Sequence, residues 1–162
     1  WMEGAAAVLA QARRGGKNAM LDADFVPIEA LRDLVPRATH VVFSAAGLGV
    51  LCGDSSPGAA LRQVSSMARG PVGVTLGADG LLWREAGVEH QVKGIAVKAI
   101  DTLAAGDVWH AAFTIALAEG RGARDAACFA NVAAAIKCER EGGRAGAPTR
   151  AEVDARLVEL FN

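Results

Sequence analysis

Long apolar runs, clustered cysteines and a strong charge of either sign are what these 162 residues lack. No apolar stretch approaches the roughly 20 residues that a bilayer-spanning helix needs, and no signal-peptide pattern is present. Cys52, Cys128 and Cys138 are an odd number of cysteines without C-x-x-C spacing, which argues against both a disulfide framework and a zinc site. His40, His90 and His110 are scattered, with no H-E-x-x-H pattern, so the histidines give no case for a metal centre. A formal net charge of −1 and the absence of any Lys/Arg cluster remove the electrostatic basis for nucleic-acid binding. Internal repeats and low-complexity segments are missing too. These absences lead us to expect a soluble protein of a reducing compartment, the cytoplasm, with no nucleic-acid or membrane partner.

What is present suits a packed core. Hydrophobic residues make up 52% of the chain and charged residues 22%, a balance that excludes disorder and fits one domain over 1–162. Ala5, Ala6, Val8, Leu9 and Ala12 predict a helix over about 2–14, stopped by Gly15-Gly16. Trp1-Met2-Glu3 runs straight into that helix without a preceding strand, so the chain is expected to start partway through an α/β unit. A short buried strand is predicted over about 18–22, with Asp22 and Asp24 at its C-terminal end. A helix over about 27–35 with Ile28, Leu31, Leu34 and Val35 on one side follows, then a strand at about 41–43 ending on Ser44, and a helix over about 57–69.

The texture then changes. Strands are predicted at about 72–76, 81–84 and 89–92, with at least one hairpin through Gly77-Ala78-Asp79-Gly80 or the Gly87 region. The remainder reads as helices over about 105–119, 123–140 and 150–161. Thr149-x-x-Glu152 forms a capping box for the last of these, and Val153, Leu157, Leu160 and Phe161 form its inward stripe. Helices alternating with short buried strands predict an α/β fold, a mostly parallel sheet flanked by helices.

Asp101-Thr102-Leu103-Ala104-Ala105-Gly106-Asp107 carries the most chemistry. Small residues run directly into an apolar-periodic helix, so a phosphate can approach the backbone N–H groups that a first helical turn leaves unpaired, with the helix dipole favouring its charge. Asp107 stands at the edge of that anion site, placed to accept a hydroxyl proton. Taken alone, the segment is equally an ordinary helix start. Thr75-Leu76-Gly77-Ala78-Asp79-Gly80 has two glycines three apart where a ligand could lie against backbone, although D-G is also a common hairpin turn. Phe129-Ala130-Asn131-Val132-Ala133-Ala134-Ala135 offers a helix surface poor in bulk that suits a flat ring or, equally, close helix packing. Glu141–Pro148 is Gly-rich and reads as a linker. Gly47-x-Gly49-x-x-x-Gly53 has the wrong spacing for a dinucleotide fingerprint. Asp22 and Asp24 lack a third partner for a metal and read as solvated turn residues.

Three of these segments, 75–80, 101–107 and 129–148, resemble in order the C-terminal half of the ribokinase-like carbohydrate kinases, the pfkB family, whose signature is roughly D-T-x-G-A-G-D. The resemblance implies a three-layer fold, here partial and lacking the N-terminal strands and lid. It also implies ATP-dependent phosphorylation of a sugar hydroxyl. In that case Asp107 is the catalytic base and the backbone of Ala104, Ala105 and Gly106 is the anion hole. Thr75, Gly77, Asp79 and Gly80 would line the nucleotide together with Ser44 and Gly106, and Asn131 would lie beside the adenine. Asp101, Leu103, Lys137, Arg140, Gly142 and Gly146 would surround a potassium ion. Three departures stand out. Leu103 stands where a hydroxyl residue is common, Ala104 replaces a glycine, and Ser44 and Gly47 replace an N-x-x-E pattern whose Glu helps organise Mg2+. Two other functions stay open: a silent module that binds a nucleotide or partner, and a kinase for a nucleoside, a vitamin or a sugar phosphate. The fragment would lack most of the sugar pocket and be inactive alone, and its exposed sheet edge favours a homo-oligomer or pairing with another chain.

Overall fold

In the computed structural model, which describes residues 2–161, the chain divides into two compact units, one up to Leu76 with Leu81–Gln91 and one of Gly77–Gly80 with Val92 onwards. The first unit is α/β. Its elements are α1 (Met2–Arg14), β1 (Met20–Ala23), α2 (Ile28–Leu34), β2 (His40–Ser44), α3 (Ala45–Cys52), α4 (Pro57–Ser65), β3 (Val72–Thr75), β4 (Leu81–Glu85) and β5 (Val88–Val92). The sheet runs in the order β1-β2-β3-β4-β5, so β1 stands at its edge. The β1–β2 and β2–β3 pairs are parallel, with Leu21 opposite Val41 and Phe43 opposite Val74. β3 and β4 are antiparallel, with Gly73 opposite Trp83. Each parallel pair is joined through helices, as parallel pairing demands.

Burial follows the pattern of the sequence. Val41, Phe43, Val72 and Val74 pack with Leu31, Leu34, Val35, Leu61 and Val64 in one buried cluster. β2 is buried over three consecutive residues, as a strand covered on both faces should be. Leu9 alone is buried in α1, and Val8 beside it is exposed. The Gly15-Gly16 stop is a Schellman ending. Gly16 takes φ +63°, its N–H donates to Arg13 O, and the Lys17 N–H donates to Ala12 O. The first strand lies later than predicted, with Asp22 inside it. Helix α3 follows β2 without a loop, because the Ser44 hydroxyl accepts from the Gly47 N–H as an N-cap.

The second unit contains α5 (Ala105–Ala118), α6 (Ala123–Cys138) and α7 (Arg150–Phe161). Gly120 at φ +85° ends α5 in a second Schellman turn, with Gly120 N–H to Leu117 O and Arg121 N–H to Ala116 O. The short turn folds α6 back on α5. Ala126, Ala127, Ala130 and Ala133 are buried and serve close helix packing. Trp109 stacks on Phe113, and Phe129 lies beneath the guanidinium groups of Arg121 and Arg150. The Thr149–Glu152 capping box forms, with the Thr149 N–H donating to Glu152 Oε2 at 2.7 Å. Val153 is buried, Leu157 is half-buried and Leu160 is exposed, which narrows the predicted stripe. The side chain of Phe161 and the whole of Trp1 lie outside the described residues.

Candidate active site

The turn before α5 takes the shape that its small residues allow. Ala104 adopts the left-handed conformation, φ 63° and ψ 12°, and so reverses the chain into the helix. Its carbonyl accepts from the Val108 N–H at 3.0 Å, and the Ala105 N–H donates to Thr102 O at 3.1 Å. The N–H groups of Gly106 and Asp107 have no partner among the described residues. A Cβ added at Gly106 would meet nothing within 4 Å, so the space beside that residue is open. Asp107, on the first turn, is exposed. His110, which sequence reasoning passed over, holds that turn: its Nδ1 donates to Gly106 O at 2.8 Å. The i, i+4 spacing of His110 and Gly106 is the signal for this contact.

A clamp of backbone and charge fixes the approach to the turn. The Asp101 carboxylate accepts from the N–H groups of Leu103 at 2.8 Å, Gly142 at 3.0 Å and Gly143 at 3.2 Å. These bonds, the Leu103 and Gly143 N–H groups foremost, hold its pKa down at about 2. The Ile100 and Asp101 N–H groups both donate to Cys138 O. The wholly buried Lys137 donates from Nζ to Asp101 O at 2.9 Å and Arg140 O at 3.1 Å, with Asp101 Oδ2 3.5 Å away. The Arg140 side chain pairs with Glu152 of α7. Of the residues expected to surround a potassium ion, Asp101 and Arg140 turn their carbonyls to the Lys137 ammonium, whereas Leu103 and Gly142 bond the Asp101 carboxylate through their N–H groups.

The expected nucleotide residues fall into separate settings. In the second unit, Gly77 takes φ +57° with open space at its Cβ position. At Gly80 an added Cβ would lie 2.1 Å from Val92 O and 2.4 Å from Gly94 N, so the protein's own backbone uses that glycine. Asp79, in the same tight turn, is exposed. Asn131 is buried. Its Oδ1 accepts from Trp109 Nε1 at 2.7 Å and its Nδ2 donates to Lys93 O at 2.8 Å, which leaves one N–H of the amide for any other partner. In the first unit, Thr75 Oγ1 donates to Phe43 O, and the Ser44 hydroxyl donates to Asp24 Oδ1 at 2.6 Å. Gly47 has no space for a side chain, because a Cβ there would stand 2.1 Å from Ala23 O and 2.8 Å from Asp24 O.

Open N–H donors at a helix start are the form that anion sites at helix N-termini take. The whole-chain comparison identifies the family: residues 2–150 match the pfkB family carbohydrate kinase. The chain belongs to that family. A ribokinase of Haemophilus influenzae is 41% identical over 79 residues, covering 49% of this chain and 26% of that protein. A putative ribokinase from Agrobacterium tumefaciens, of known crystal structure, is 41% identical with a TM-score of 0.93, covering 98% of this chain and 53% of that one. A fructokinase variant from Vibrio cholerae, solved with fructose, ADP and a potassium ion, is 27% identical with a TM-score of 0.82, covering 92% of this chain and 53% of that one. The pfkB chain described here thus spans about half the length of the solved relatives, and its sheet and helices superpose on that half. No group of three or more metal-ligating side chains exists among its described residues, and no helix is long and apolar enough to cross a membrane.

Proposed function

We propose that this chain forms the nucleotide-binding and catalytic part of an ATP-dependent sugar kinase. One observation carries the reading: the unpaired N–H groups of Gly106 and Asp107 open into free space beside the exposed Asp107 carboxylate. The N–H pair and the α5 dipole bind the phosphoryl group being transferred, whose charge spreads over its oxygens. Asp107 takes the proton of the attacking sugar hydroxyl. His110 holds the first turn of α5 in place through Gly106 O. Asn131 ties α6 to Trp109 of α5 and to the backbone at Lys93, and so fixes the segment beside Gly77–Gly80. Gly77, with its open Cβ position, is the glycine against which a nucleotide can lie.

Mg2+, when bound with ATP, screens the triphosphate charge. It is commonly held by one or two carboxylates and the phosphates themselves. Residue 47 cannot supply that acid, since backbone fills the space of its side chain.

The decisive measurement is ADP release with ribose and fructose as acceptors, made on a protein that joins this chain to an N-terminal half of the kind its solved relatives carry, with ATP binding followed by calorimetry. Asp107→Asn is expected to lower turnover by about 10²–10⁴-fold, because only the chemical step needs the base. ATP affinity should change little. Turnover within about tenfold of the parent would end the general-base assignment. The missing acid at Gly47 favours a second reading, a module that binds nucleotide without transferring phosphate. ATP binding without turnover on any sugar, nucleoside, vitamin or sugar phosphate supports that one.

A further inference from the structure

We propose that Lys137 is a built-in cation, whose ammonium takes the place a monovalent metal ion would hold between the strap before α5 and the loop after α6. Backbone carbonyls turned toward one point are a usual way to hold potassium. Here the carbonyls of Asp101 and Arg140 turn toward Nζ, and the Asp101 carboxylate lies on the same side. The lysine reaches this point from its own helix. Lys137 is the penultimate residue of α6, and its stem passes over Gly146, where an added Cβ would come within 3.1 Å of Lys137 Cδ and 3.0 Å of Glu141 O. Gly146 therefore makes room for the lysine stem instead of facing an ion.

The charge balance points the same way. An ammonium carries the same single positive charge as a potassium ion and three N–H donors, which suit carbonyl and carboxylate oxygens. Lys137 is 0% exposed. A metal ion on these oxygens would displace a wholly buried ammonium, leaving an unpaired charge in the interior. The residues present thus fit a lysine and do not fit a second cation. The structural consequence is that the clamp on Asp101, and through it the turn at 102–104, is ordered with no metal ion. That the turn serves phosphoryl transfer rests on the kinase reading above; the identity of the cation does not.

Thermal melts of the chain without nucleotide, in KCl, NaCl and choline chloride at one ionic strength, test the proposal, with ATP affinity measured separately in KCl and in choline. The parent is expected to melt at the same temperature in all three salts. Lys137→Ala, and the better-filling Lys137→Met, empty the ammonium position while keeping the carbonyls and Asp101. Both variants should melt lower in choline and recover part of the loss in KCl, or fold in KCl alone. A parent that melts more than about 3 °C higher in KCl than in choline overturns the proposal. So do folded variants that respond alike to KCl and choline. If neither variant folds in any salt, the parent comparison alone decides. ATP that fails to bind would sink the nucleotide reading and leave the salt result standing.

Discussion

Replacing Ala104 by glycine isolates the turn that places the anion site. At φ 63° and ψ 12° an L-residue carries about 1–2 kcal/mol of steric cost, which glycine avoids. Glycine returns about 0.5–1 kcal/mol of that through its greater freedom in the unfolded chain. The net expectation for Ala104→Gly is a gain of about 0.5–1 kcal/mol, a rise of roughly 1–4 °C in melting temperature for a chain of this size. Ala111, exposed in the interior of the same helix, supplies the opposite sign: Ala111→Gly should lose about 1 kcal/mol. Melting followed by circular dichroism, with urea titration for the free energies, reads both. An Ala104→Gly protein that melts at or below the parent would refute the left-handed turn and, with it, the placement of the Gly106 and Asp107 N–H groups.

Two further outcomes follow from the same geometry. Gly47→Ala places a Cβ against Ala23 O and should destabilise by about 3 kcal/mol in urea titration, the upper end for overpacking. Gly49→Ala, with nothing within 4 Å on the same helix, should stabilise by up to about 1 kcal/mol, and equal effects would contradict the packing. In acid, Asp101 and Glu152 are each held at about 2, the first chiefly by the Leu103 N–H and the second chiefly by Arg140. A carboxyl with a lowered folded pKa adds stability above its unfolded value and loses it as pH falls toward the folded one. Stability should therefore fall between about pH 4 and pH 2, and Asp101→Asn should flatten that fall; an unchanged slope would mean that the N–H clamp on Asp101 does not form.

Which parts of this arrangement can be read in the sequence depends on how local their causes are. β2 and the core face of α2 announce themselves through apolar periodicity, and the Thr149–Glu152 cap through side chains three residues apart. The Asp101–Asp107 turn is legible because small residues before a helix have a direct consequence for backbone access. Helix α3 escapes notice because Ala45–Cys52 is apolar on every side, so no periodic face marks it, and its start depends on one Ser44 hydroxyl. The constraint at Gly47 comes from the carbonyls of residues 23 and 24, more than twenty positions earlier, and only the parallel register brings them together. The same separation hides Lys137. A lysine near a helix end is ordinarily a solvated charge with a favourable dipole, and nothing in A-I-K-C-E-R shows that the strap thirty-six residues upstream will close over it. An ion held by carbonyls and an ammonium held by the same carbonyls need the same backbone. The family pattern for that backbone therefore does not reveal which cation fills it; the side chain at position 137 does.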